Sequence, residues 1–322
     1  MAAVLDALAE LGAAPVESLT PEQARAQPGM ADAVRLRLEQ LGAGEPSPGV
    51  VTRNITLPGP ENGIRARLYG PLLKPDDDPA SLMPLVLYFH GGAWVTGSLN
   101  GWDASPRAMA QLTDCIVLSC QYRQAPEHPL PAAYEDGFAA WRWVRDHAQD
   151  FGGDPRRIAL MGEGSGANLA CATAIRARDA GLGGPVQLTL ISPIAGADLT
   201  TPSYVEHAEA RPLSRAMMRW ALRHACPNLD CGDDPRVNLT EADLQGLPPT
   251  TVLCAEIDPL RSEGEWLADR LEQAGVEVSQ MTVPGMTHGF FGAAGVVPAA
   301  AEAQVFAARR LARAFQTAAR TN

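Results

Sequence analysis

The chain has 322 residues, 46% of them hydrophobic, which is enough for one large α/β core or two modest domains. Its formal charge of -11 argues against nucleic acid and anionic lipid as partners, because an acidic surface repels both. Small molecules or proteins remain.

The opening stretch "MAAVLDALAELGAAP" has no Lys or Arg, and Asp6 and Glu10 interrupt its apolar run. Neither a secretory signal nor a membrane span fits, so a cytoplasmic location is expected. The first fifty residues read as helical, with Val4, Leu5, Leu8 and Leu11 on one stripe and Val34, Leu38 and Leu41 on another. The turn formers of "GAGEPSPG" end that region. Beyond them, "VTRNITL" and "IRARLYG" alternate as half-buried strands do, and "KPDDDP" reads as a solvated loop.

Short apolar runs follow: "PLVLYF", "CIVLSC", "RIALMG", "VQLTLI" and "TVLCAE", separated by helix-patterned segments. Runs buried on both faces and alternating with helices imply a parallel sheet. The helical stripes are Tyr134, Phe138 and Trp141; Leu267, Leu271 and Ala274; and Val305, Ala308, Ala312 and Phe315. Ser262 and Glu265 have the spacing of a capping box. An excursion from Ala195 to Pro249, helical at "LSRAMMRWALRHA", is expected to cover the crevice at the strand ends.

The six cysteines, Cys115, Cys120, Cys171, Cys226, Cys231 and Cys254, contain no CxxC pair, so neither a disulfide framework nor a zinc ribbon is expected. Cys115, Cys120 and Cys254 read as packed thiols. His224, Cys226 and Cys231 lack a fourth ligand at familiar spacing, and no metal is expected.

Four stretches carry chemistry: "HGGAW", "YRQAPEHPLPAA", "GEGSGANLA", and "DPLRSEG" followed by "GMTHGF". In order and spacing, from about Tyr88 to Phe291, they resemble the bacterial hormone-sensitive lipase family, the family IV carboxylesterases of the α/β-hydrolase superfamily. The resemblance implies an α/β-hydrolase fold with a mostly parallel sheet and a helical cap. Residues 1–50 and 195–249 would form the cap, and 51–194 with 250–322 the catalytic domain. It also implies hydrolysis of uncharged short to medium acyl esters through an acyl-enzyme, with no cofactor.

A serine hydrolase needs a base, an acid that orients it, and donors for the oxyanion. His288, in a glycine-flanked loop after a strand, matches the family's base, and Asp258, at the end of "TVLCAEID", matches its acid. Since Ser262 would already cap the next helix, Asp258 is free to partner His288. Gly91 and Gly92 are the expected oxyanion donors, with Ser165 as a third, each worth roughly 3 to 4 kcal/mol when preorganised. Glu127 and His128 match a segment that braces the active-site loops and stay outside the catalytic set. Trp94, Met217, Met218 and Trp220 are candidates for the acyl pocket.

At the nucleophile position the family carries serine; aligning "GANLA" puts Gly164 there. The steric argument agrees, because residues two before and two after the apex of a nucleophile elbow must be small. Gly162 and Gly166 satisfy this around Gly164, whereas Glu163 would violate it around Ser165. Trimming a hydroxymethyl opens room for about one water, roughly 30 Å³. Such a chain is a deliberately disabled esterase, a natural variant using His288 as general base on water or, as a lyase or cyclase would, on a substrate C–H or O–H, or a non-catalytic receptor, as the gibberellin receptors are on a similar fold. The partner is then a small-molecule ester, neither nucleic acid nor membrane, and a homodimer stays open.

Overall fold

The computed structural model describes residues 1–44, 47, 49–70, 82–227 and 231–320; the "KPDDDP" stretch lies outside them. Its strands are β1 Val51–Leu57, β2 Ile64–Gly70, β3 Met83–Phe89, β4 Ile116–Gln121, β5 Gly153–Glu163, β6 Leu188–Ile191, β7 Thr250–Ile257 and β8 Val278–Thr287. They form one eight-stranded sheet in the order β1-β2-β4-β3-β5-β6-β7-β8. The β1–β2 and β2–β4 pairs are antiparallel and the rest are parallel.

The period of two in each strand divides the core into two layers. Leu85, Leu87 and Phe89 face one layer while Val86 and Tyr88 face the other, which is why "PLVLYF" is apolar without interruption. Helices α5 Ala132–His147, α6 Ser165–Asp179 and α9 Arg261–Gln273 reach the first layer through Trp141, Leu169 and Leu267. Helices α4 Ala104–Thr113 and α10 Pro298–Arg320 reach the second through Met109, Leu311 and Phe315. On α10 the expected stripe is met at Ala308 and Phe315, both buried, but its centre lies at Ala303, Ala307 and Leu311, and Val305 faces solvent.

The N-terminal segment folds as α1 Ala2–Glu10, α2 Pro21–Ala26 and α3 Met30–Leu41. Val4 and Val34 join the second layer, while Leu5 and Leu8 line a cavity. Leu41 is exposed rather than buried, because Gly42 ends α3 in the left-handed region (φ 63°) and turns the chain away. Between β6 and β7 the excursion carries α7 Pro202–Glu206 and α8 Arg215–Ala225. Just past α8, Cys226 and Cys231 form a disulfide, their Cα atoms 5.9 Å apart, a single bridge where no disulfide framework was expected. The two are five residues apart in sequence, a spacing that a search for CxxC pairs does not report. The other four cysteines are buried free thiols.

The Ser262–Glu265 capping box does not form. Ser262 Oγ accepts the Ser203 N–H at 3.1 Å, tying α9 to α7, and Glu265 accepts from the Thr282 hydroxyl on β8. The first turn of α9 is served by Asp258, whose Oδ1 takes the Leu260 N–H at 3.0 Å.

Candidate active site

Three chain reversals meet at the carboxyl ends of the parallel strands, the ordinary ligand position of an open α/β sheet. The first is the turn from β5 into α6. Its apex, Gly164, has φ 55° and ψ −118°, a conformation that side chains rarely adopt. The turn is tight on both flanks. A Cβ on Gly162 would lie 2.1 Å from the Gly166 carbonyl oxygen, and one on Gly166 would lie 2.0 Å from that of Phe89. At Gly164 a Cβ would meet nothing closer than His288 Nε2, at 3.4 Å. The elbow thus forbids side chains at its flanks by collision and leaves space for one at its tip, in a strained backbone conformation.

The second and third reversals follow β7 and β8, neighbouring strands whose ends bring Asp258 and His288 together. His288 Nδ1 lies 2.9 Å from Asp258 Oδ2, so the two carboxylate oxygens of the nearly fully buried Asp258 serve the imidazole and the Leu260 N–H respectively. Burial pushes the His288 imidazolium down. The charge and hydrogen bond of Asp258, helped by the charge of Glu163, outweigh it and raise the pKa above the ordinary histidine value. Glu163 itself is buried under the elbow, held by the Tyr88 hydroxyl at 2.7 Å and by Ser105, and burial pushes its pKa up.

Ser165 heads α6, where the first N–H groups have no intrahelical carbonyl. Its side chain is fully buried, and its hydroxyl lies 3.3 Å from the Tyr122 hydroxyl. Tyr122 also donates to the His90 carbonyl oxygen at 2.9 Å and stacks on the His90 ring. Gly91 and Gly92 continue from there. Their N–H groups donate to no carbonyl among the described residues, and the positive φ of Gly92 (120°) lets the chain fold back against Thr96, where a Cβ would collide.

A cavity of about 1040 Å³ opens over this centre, with Gly92, Gly164, Ser165, His288, Met217 and Met218 on its wall. Trp94 and Trp220 are not on it. Trp94 is 1% exposed and points into the first core layer, and the Trp220 indole N–H donates to the Leu19 carbonyl oxygen at 3.0 Å. Tyr122, which opens the "YRQAPEHPLPAA" stretch but has no expected role there, is the residue that links the loop of Gly91 to the elbow. Glu127 is bound to Arg25, and His128 sits 3.6 Å from Glu61. Among the described residues no group of three or more His, Cys, Asp or Glu is placed to hold a metal. No described helix is long and apolar enough to cross a membrane.

A sheet of this order, with a strand-to-helix elbow facing a histidine and aspartate from the last two strands, defines an α/β hydrolase. The alpha/beta hydrolase fold model matches residues 86–292, and the chain belongs to that family. Within it the similarity is to carboxylesterases. Carboxylesterase NlhH of Mycobacterium tuberculosis is 43% identical over 245 residues, which span 74% of this chain and 75% of that one. An ethyl acetate hydrolase of Pseudomonas putida is 33% identical over 77% of this chain and 78% of its own length. Among solved structures, a serine-to-alanine mutant of LAE6, an alpha/beta hydrolase enzyme from the metagenome of Lake Arreo, Spain, superimposes with a TM-score of 0.84 at 36% identity, covering 97% of this chain and 95% of that one. The chain is a hydrolase-type enzyme by this kinship.

Proposed function

We propose that the chain acts on uncharged carboxylic esters of short to medium acyl length, with Gly164 at the nucleophile position and His288 serving as general base on water. One observation carries this reading: His288 Nε2 is aimed at the α-carbon of Gly164, 3.4 Å from where its first side-chain atom would stand, with Asp258 behind it. In this reading the substrate carbonyl oxygen lies among the N–H groups of Gly91, Gly92 and Ser165. A water beside Gly164 gives its proton to Nε2 as its oxygen bonds to the carbonyl carbon, and the π electrons move to the oxyanion. The protonated imidazole then returns the proton to the departing alkoxide, giving acid and alcohol. Residues 1–50 and 195–249 act as the cap over this step, and Met217 and Met218 contact the acyl chain. The ethyl acetate hydrolase relative supports a small ester.

Initial rates with short p-nitrophenyl esters, for the protein as it is and for Gly164→Ser, test the reading. Slow turnover that is abolished by His288→Ala and greatly increased by Gly164→Ser is expected. Thermal stabilisation by an ester with no turnover in either form would instead identify a binding protein.

A further inference from the structure

Arg25, on α2 of the N-terminal segment, is marked by no motif. From α2 its guanidinium makes four hydrogen bonds across the cleft: Nε to the Val95 carbonyl oxygen at 2.8 Å, Nη2 to that of Ala125 at 2.6 Å, and a two-pronged pair with the Glu127 carboxylate at 2.7 Å each. The two carbonyls belong to different loops. Val95 lies three residues beyond Gly92, in the turn closed by its own N–H and that of Thr96 on the Gly92 carbonyl oxygen, at 3.0 and 2.8 Å. Ala125 belongs to the loop after β4 and donates its own N–H to the Trp94 carbonyl oxygen at 2.9 Å. The guanidinium therefore closes a ring through both loops, immediately behind the glycines that face the elbow.

The same segment is held at its other end. The Leu19 carbonyl oxygen takes the indole N–H of Trp220, and the Ser214 hydroxyl donates to Glu17 at 3.3 Å. Residues 17–25 thus run as a strap from the region of α8 to the loop that carries Gly91 and Gly92. A capping box at Thr20 and Gln23 sets the start of α2 within it.

We propose that Arg25 is a positioning residue for the oxyanion-binding loop, so that the N-terminal strap completes the active site besides covering it. The proposal rests on the assignment of Gly91 and Gly92 given above. The planar fork of arginine is what the arrangement requires: it binds a carboxylate with two parallel N–H groups and still turns others to two carbonyls, which the single ammonium of lysine cannot reproduce. Glu127 neutralises the charge and holds the fork in plane. Its carboxyl is pulled down to about 2, chiefly by the hydrogen bonds from Arg25.

Two readouts test this. In the protein as it exists, Arg25→Ala should make amide hydrogen exchange in the peptide spanning residues 91–97 about tenfold faster, while Arg25→Lys lies between the two. Faster exchange confined to residues 17–27 would overturn the proposal. In the Gly164→Ser background, Arg25→Ala should lower kcat for a short p-nitrophenyl ester by about ten- to a hundredfold with KM within about twofold, and millimolar guanidinium should restore part of it. A rise in KM at unchanged kcat would reduce Arg25 to a lid contact and overturn the proposal as well. If the Gly164→Ser background shows no esterase activity, the ester reading falls, and the exchange measurement on the unmodified chain decides about Arg25 by itself.

Discussion

Across the cleft, the two sides of the site are built on different terms. On one side Asp258 and His288 form a side-chain device: two functional groups from adjacent strand ends, every carboxylate oxygen engaged, and a pKa moved by specific neighbours. On the other, the elbow is a backbone device. Its shape comes from Gly162 and Gly166 packing onto neighbouring carbonyls and from the Gly164 N–H bonding the Ile191 carbonyl oxygen at 2.9 Å. The contrast teaches that the frame around a nucleophile and the nucleophile itself are separately encoded. On the reading proposed above, this chain holds the first with glycine in place of the second.

The sharpest way to break this contrast is to give the elbow a side chain. If its geometry is already catalytic, Gly164→Ser should raise kcat for short p-nitrophenyl esters by up to about 10⁶, the loss that removing a serine nucleophile causes elsewhere. A gain below tenfold would mean that the frame had drifted. Next in size, Asp258→Asn in that background should cost about 10⁴ in kcat, since the amide favours the wrong imidazole tautomer; steady-state kinetics measure it.

The pH profile sharpens the other side. A base works only when unprotonated, and the His288 pKa is raised, so the acid limb of kcat/KM should have its midpoint above the ordinary value of about 6.5. Glu163→Gln should move that midpoint down, by less than Asp258→Asn does. A limb at or below the ordinary value would show that burial, not Asp258, dominates. The smallest effect is expected for Ser165→Ala, which removes the contact with Tyr122 but keeps the backbone N–H. In both the unmodified and the Gly164→Ser forms it should lower turnover by less than about tenfold. Complete loss would make Ser165 the attacking residue.

The sheet was legible because strands buried on both faces read as unbroken apolar runs, and the register of the elbow was legible because sterics demand glycine at 162 and 166. What escaped the sequence depends on direction and on distant pairing. Trp94 stands two residues from Gly92, yet its ring turns into the core; Trp220 lies on a helix beside the cavity, yet its N–H is spent on Leu19. Ser262 has the spacing of a cap, but a hydrogen-bond exchange with Ser203, far away in the chain, takes its hydroxyl and leaves the capping to Asp258. Arg25 shows no local pattern at all, since its partners lie 70 to 102 residues downstream.

The unequal crowding around the elbow also bears on heredity. Two of its glycines cannot accept even a methyl group without displacing main-chain atoms, whereas the one at the tip can, and glycine codons of the GGC and GGT type become serine codons by exchanging a single base. If Gly164 holds the nucleophile position, as proposed, and its codon is of that type, the elbow stands within one nucleotide of serine, and a mutant library selected for growth on an ester should return to that one codon before any other.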